Sequence, residues 1–263
     1  MFQAALAKGA RECKTAPMSL PPAPVDAAVL LIGDELLSGR TQDTNLRTLA
    51  EFLGPLGVQV REARTVADVE SEIAAALNAL RVRYTYVFTT GGIGPTHDDR
   101  TADAAALAFG RPVEVNAQAR AVLLGHYGDA LNESRLRMAR MPAGAELIAN
   151  PVSKAPGFQV ENVFVLAGVP SIMRGMLEDV APRLRGGAVM QSRSLRRPGL
   201  REGDIGAALA AVQARFAGVR IGSYPWFDAE GFGVTLVARS ADPAALEAAY
   251  AALLQEFGPA AEA

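Results

Sequence analysis

The chain holds little of the chemistry that usually gives a function away. Of its 263 residues one is cysteine, Cys13, and two are histidine, His97 and His126. That excludes a disulfide framework, a thiolate metal cluster and cysteine-based covalent catalysis, and it fits a reducing cytoplasm. The net charge is only -2, which gives no electrostatic reason to expect nucleic acid or an anionic membrane as a partner. Any anionic substrate must then be met by local donors. No apolar run approaches the length that spans a bilayer, and the apolar stretch at residues 1–9 is too short for a secretory signal. Familiar motifs are missing too. Gly33-Asp34-Glu35-Leu36-Leu37-Ser38-Gly39 is not G-x-G-x-x-G, no P-loop lysine follows the later glycines, and there is no G-x-S-x-G elbow.

What is present is ordinary for a soluble globular enzyme: half the residues are hydrophobic and 21% are charged. The length suits one medium domain plus a small one. Residues 1–25, with Leu20-Pro21-Pro22-Ala23-Pro24 as a stiff linker, read as a poorly ordered tail, Met18 being an alternative start. Residues 26–185 read as one α/β domain and 186–263 as a small α+β subdomain, with Gly186-Gly187 as the boundary.

The informative stretch runs from Tyr86 to Thr101. A β-rich run, Tyr86 to Thr90, stops at Gly91-Gly92-Ile93-Gly94-Pro95, and Asp98-Asp99 then opens an alanine-rich helix over 102–109. Glycines let backbone N–H groups approach a ligand closely, and a helix start adds donors and partial positive charge that suit a phosphate. The two aspartates oppose a bare phosphate. A site that wants both holds a divalent cation or polarises a water between them.

Around that stretch the pattern is βα repeated. Residues 27–33 form a continuous apolar run ended by glycine, the mark of a strand buried on both faces. Asp43 or Thr44 caps a helix reaching about Leu56, Val58 to Val66 is a second strand, and Asp68 caps the next helix. A strand over 84–90 then enters the glycine-rich loop. Three such units imply a parallel sheet with helices on both faces, whose ligands bind at the carboxyl ends of the strands. Gly33 to Glu35, Asp68 and the Gly91 to Asp99 loop all fall there. Farther on, helices are expected over 116–127 and 132–140, short strands over 145–148, 157–160 and 162–166, and a helix over 171–184. The remainder reads as strand (188–195), helix (202–216), strand (219–224), strand (231–238) and helix (243–257).

Each candidate residue also has an ordinary explanation. Asp98 and Asp99 serve equally as helix-capping acids, Asp68 as an N-cap, and Asp34 and Glu35 as turn acids. Lys154 and Arg40, in glycine-flanked loops, are phosphate clamps or solvated cations. His97 is a proton-transfer or metal candidate or neither, His126 a helix-surface residue, and Trp226 a packing anchor.

Thr89-Thr90-Gly91-Gly92-Ile93-Gly94-Pro95-Thr96-His97-Asp98-Asp99-Arg100-Thr101 resembles the signature loop of the MoaB/Mog molybdopterin-binding domain, in the version of the competence/damage-inducible protein A (CinA) family. Ile32 to Arg40, Asp43-Thr44-Asn45, Asn150, Ala155-Pro156-Gly157-Phe158 and Gly168-Val169-Pro170 with Met173 and Met176 extend the likeness over residues 27 to about 185. Residues 186–263 are similar to the region that follows in CinA-type proteins. The resemblance implies a three-layer α/β/α domain with a mostly parallel sheet. It implies a metal-dependent pyrophosphatase of ADP-ribose-type nucleotides or, alternatively, a non-catalytic pterin- or nucleotide-binding module in molybdenum cofactor handling. Asp68 and Asp99 would hold a divalent ion of magnesium or cobalt type, with potassium as a second cation and Asp98 assisting. Gly91, Gly92, Gly94, Thr90, Asn45, Lys154 and Arg40 would bind the nucleotide or pterin, in a homo-oligomer. Many CinA proteins continue into a nicotinamide-nucleotide amidase domain, an activity not expected of residues 1–263. Ser153-Lys154 stands where the family has Gly-Thr.

Overall fold

The computed structural model describes residues 25–229 and 231–258. Residues 1–24 of the expected N-terminal tail, Cys13 among them, lie outside the described residues, and Val25, expected as the last of the tail, begins the first strand. Six strands form the main sheet: β1 (Val25–Ile32), β2 (Val58–Val66), β3 (Tyr86–Thr90), β6 (Glu146–Ile148), β7 (Gly157–Val160) and β8 (Val163–Leu166). Their spatial order is β2-β1-β3-β8-β7-β6. The first four run parallel, and β7 runs antiparallel to both of its neighbours, β8 and β6.

β1 is central to the packing because its alternate side chains are buried on opposite faces. Ala28, Leu30 and Ile32 join one core with Leu77 and Leu80 of α3 (Glu70–Arg81), Ala104 and Ala105 of α4 (Thr101–Phe109) and Leu123 of α5 (Ala117–Tyr127). Ala27, Val29 and Leu31 join the other, with Leu49 and Leu53 of α2 (Asn45–Leu53) and Met173 and Leu177 of α7 (Pro170–Val180). Three layers follow from that doubly apolar strand. Burying one such leucine contributes about 2–3 kcal/mol of transfer free energy. Stacked Phe88 and Phe164, with ring centroids 5.1 Å apart, fill the second core between β3 and β8.

Local chemistry sets the element ends, in several places differently from the sequence expectation. The Asp43 carboxylate accepts from the backbone N–H of Asn45 and Leu46 and so fixes the start of α2, which stops at Leu53 in a 3-10 turn, Gly54–Leu56. Asp34–Leu37, expected as a turn, is a short helix, α1. The helix expected over 132–140 is broken into α6 (Glu133–Leu136) and a 3-10 turn, because Arg140–Pro142 leaves as β5 to pair with β4 (Val113–Val115). Asn116 and Asn132 supply true N-caps. The helix expected to reach Leu184 ends as α7 at Val180, followed by a 3-10 turn.

The last part of the chain is a second sheet, β10 (Arg220–Asp228), β11 (Gly231–Ser240) and β9 (Gln191–Pro198), in the order β10-β11-β9 and antiparallel throughout. α8 (Glu202–Arg215) and α9 (Pro243–Phe257) cover one face through Ile205, Val212, Leu246 and Leu253. β9 begins three residues later than expected and β10 ends four residues later; the strand–helix–strand–strand–helix order is the expected one. Trp226 packs under the Arg196 guanidinium, 3.7 Å from its ring centroid. No helix among the described residues is long and apolar enough to cross a membrane.

Candidate active site

The parallel strands β2, β1, β3 and β8 end side by side, and their exits frame a cleft of ≈ 530 Å³. The chain returns tightly between strands there: Gly33 N–H donates to the Val66 carbonyl and Gly91 N–H to the Leu166 carbonyl. Gly91 sits at φ 108° with no room for a side chain, since a Cβ would lie 2.2 Å from the Ile32 carbonyl oxygen. Gly92, at φ 67°, lies against Thr101, whose hydroxyl donates to the Gly91 carbonyl and whose N–H donates to the Gly92 carbonyl. The loop is thus bolted to the first residue of α4. The N–H groups of Gly92 and Ile93, both on the cleft wall, find no acceptor among the described residues. Two such donors, shielded on one side by a sheet edge, are a receptor for an anion. Of the three glycines expected to cradle a phosphate, Gly91 and Gly94 have engaged amides, which leaves that of Gly92, beside Ile93, without an acceptor among the described residues.

Asp98 and Asp99 do not cap the helix as the ordinary reading had it; α4 begins at Thr101 with no side-chain cap. Asp99 folds back into its own loop. Its Oδ1 accepts from Gly94 N–H at 2.6 Å, and its Oδ2 accepts from the Thr96 N–H at 2.8 Å and the Thr96 hydroxyl at 2.6 Å. Three of the roughly four lone-pair sites of a carboxylate are used in this way. Asp98 is exposed, and its closeness to the Thr96 hydroxyl and to its own backbone N–H keeps its carboxyl below the ordinary aspartate range.

Asp68 is not an N-cap either. The cap position of α3 is Val69, without a side-chain bond. Asp68 reaches instead across to the start of α1, where its Oδ2 accepts from the Asp34 N–H at 2.9 Å. Burial pushes its carboxyl above the ordinary aspartate value, the Asp34 N–H bond opposes this, and the negative charges of Asp34, Glu35 and Asp98 push it up further. Hard oxygen donors carrying excess negative charge are of the kind that suits a cation of the magnesium class. Among the described residues no three carboxylate or imidazole groups converge on one metal position. Magnesium is characteristically held by one or two carboxylates together with substrate phosphates, so the donors fit an ion that arrives with its phosphate.

Other expected residues are placed less uniformly. Asn45, 5% exposed, donates through Nδ2 to the Gly168 carbonyl at 2.7 Å, and its buried Oδ1 has no partner among the described residues. It and buried Thr90 line a smaller pocket of ≈ 50 Å³ beside the cleft, not the cleft itself. Lys154, at φ 65°, and Arg40 are exposed and do not line the cleft. His97 opens onto a side pocket, and His126 packs edge-on against Tyr127.

The cation that sequence reasoning missed is Arg137. It lines both smaller pockets flanking the glycine-rich loop, and its Nε is buried without an acceptor among the described residues. It lies in a segment that reads as a charged helix, and no local motif marks it. Asn150 was noted only as a likeness; its side chain organises the facing loop through Ser153 and Ala155.

A parallel α/β sheet with a glycine-rich turn at its carboxyl edge and carboxylates beside it is the class of fold that takes small molecules at that edge. Residues 28–186 match the family described as probable molybdopterin binding domain, and the chain belongs to it. Residues 193–262 match the FAD synthase middle domain. A CinA-like protein of Gemmatimonas aurantiaca is 37% identical over 250 residues, covering 88% of this chain and 58% of that protein. A CinA-like protein of Syntrophotalea carbinolica is 39% identical over 193 residues, 69% of this chain and 47% of that one. The chain thus spans about half the length of these curated relatives. The crystal structure of the protein CinA from Thermoplasma acidophilum superimposes with a TM-score of 0.57 at 34% identity, covering 60% of this chain and 98% of that chain. This is a CinA-like protein of molybdopterin-binding fold.

Proposed function

We propose that the cleft binds a phosphorylated nucleotide and hydrolyses the pyrophosphate bond of an ADP-ribose-type substrate with a divalent ion. The observation that carries the reading is one cleft lined both by Gly92 and Ile93, whose amides have no acceptor among the described residues, and by Asp68, whose half-buried carboxyl is raised. The amides hold phosphate oxygens. Asp68 and Asp98 hold the ion, which when bound supplies positive charge against those oxygens. Ionised Asp98 accepts a proton from the attacking water, and Arg137 offsets charge on the leaving phosphate. Water oxygen joins one phosphorus as the P–O–P bridge breaks, giving AMP and ribose 5-phosphate. Asp99 positions the loop. Lys154 and Arg40, on exposed loops, act only at the rim.

One observation favours the alternative, a pterin- or nucleotide-binding module without turnover: Asp99 is largely consumed by loop hydrogen bonds. The test is to incubate the chain with ADP-ribose, FAD or molybdopterin, with magnesium or cobalt, with and without potassium, and assay AMP. The account expects metal-dependent AMP from ADP-ribose, reduced at least about 100-fold in a folded Asp68→Asn variant. Equal rates in the two proteins would remove Asp68 from catalysis. Binding without AMP under any metal supports the module.

A further inference from the structure

At the end of β2 remote from Asp68 lies a second cleft, of ≈ 490 Å³, between the outer edge of the main sheet and the uncovered face of the second sheet. β2 contributes Gln59 and Arg61; β10 and β11 contribute Arg220, Tyr224 and Arg239. Arg220 and Arg239 are directly opposite one another in the antiparallel register, an arrangement of like charges that destabilises a strand pair. No carboxylate among the described residues forms an ion pair with either, or with Arg61. The acid that Arg61 influences, Asp26, is hydrogen-bonded to the Thr85 N–H and hydroxyl.

Arginines on an open surface are satisfied by water. Arg220 and Arg239, although exposed, line one wall of a cleft, and the facing wall brings a third exposed arginine, Arg61. Gly222 lets the Tyr224 ring lie against its own strand, since a Cβ at Gly222 would sit 3.3 Å from the ring. Arg239 lies 5.9 Å from the centroid of that ring. On the opposite wall the Gln59 amide Nε2 is shielded from solvent with no acceptor among the described residues. Three cations, an exposed ring and a donor in want of an acceptor together match a phosphate attached to a flat base.

We propose that this cleft is a second site, for a small phosphorylated ligand carrying a planar ring, with Arg61, Arg220 and Arg239 on the phosphate and Tyr224 on the ring. It stands independently of the function assigned to the first cleft. The test is calorimetric titration of the full chain with AMP in the presence of EDTA, using the parent, Asp68→Asn, and the double variant Arg220→Gln/Arg239→Gln. AMP is expected to bind to the parent and to Asp68→Asn alike, and the double variant is expected to lose one AMP per chain, that site weakening at least about tenfold. Without ligand the double variant should melt at the parent temperature or above, because a repulsive pair has been removed. Absence of AMP binding to the parent, unchanged stoichiometry and affinity in the double variant, or a lowered melting temperature would each overturn the proposal.

Discussion

Asp68 illustrates how a single residue carries a cost that only a ligand relieves. Its carboxyl is driven up chiefly by burial and secondarily by Asp34, Glu35 and Asp98. The native chain therefore keeps this proton to higher pH than the unfolded chain does, whose value is near 3.8. Between those values the native state binds more protons, so stability falls as pH rises through the window. Above it the penalty is complete, and below 3.8 it is gone. Asp68→Asn, whose amide oxygen still accepts from the Asp34 N–H, is expected to melt above the parent at neutral pH. The gain should vanish in acid and be offset by millimolar magnesium with ADP-ribose, which stabilises the parent alone. Thermal melts across pH check this; a variant less stable than the parent at pH 7 would show that the carboxylate is structural.

At the scale of the element, the glycine-rich loop is a small machine closed by Asp99. Replacing one carboxylate oxygen with an NH₂ group leaves an acceptor lost opposite Gly94 or Thr96, whichever way the amide turns. Asp99→Asn is expected to lose about 1–3 kcal/mol of stability and to speed hydrogen exchange at Gly94 and Thr96. Unchanged exchange there would contradict the bracing role. Much of this region was legible in sequence: a strand that stops at Gly91-Gly92 announces a turn at a carboxyl edge, and the apolar β1 announces a sheet covered on both sides. The partners were not legible. Asp68 and Asp99 each stand where a helix cap would stand, and only the tertiary approach of Asp34 to Asp68, and the curl of 94–99, decides otherwise. Arg137 was hidden for the same reason. Its segment has helical spacing, yet pairing of β5 with β4 breaks that helix and turns the guanidinium toward the loop.

Across the whole molecule, one strand connects two clefts of opposite character. The carboxyl end of β2 leads to Asp68 among acids, and its amino end carries Gln59 and Arg61 among cations. The glycines at the junction make the close approach possible: Gly187 N–H donates to the Gly57 carbonyl, and a Cβ on Gly57 would lie 2.1 Å from the Gly187 oxygen. The catalytic claim rests on the first cleft alone, and a crystal soaked with ADP-ribose and magnesium tests it most directly. The account predicts diphosphate oxygens within hydrogen-bonding distance of the Gly92 and Ile93 amides and a cation on the Asp68 carboxylate. A nucleotide bound elsewhere, with Asp68 still bonded only to the Asp34 N–H, would contradict it.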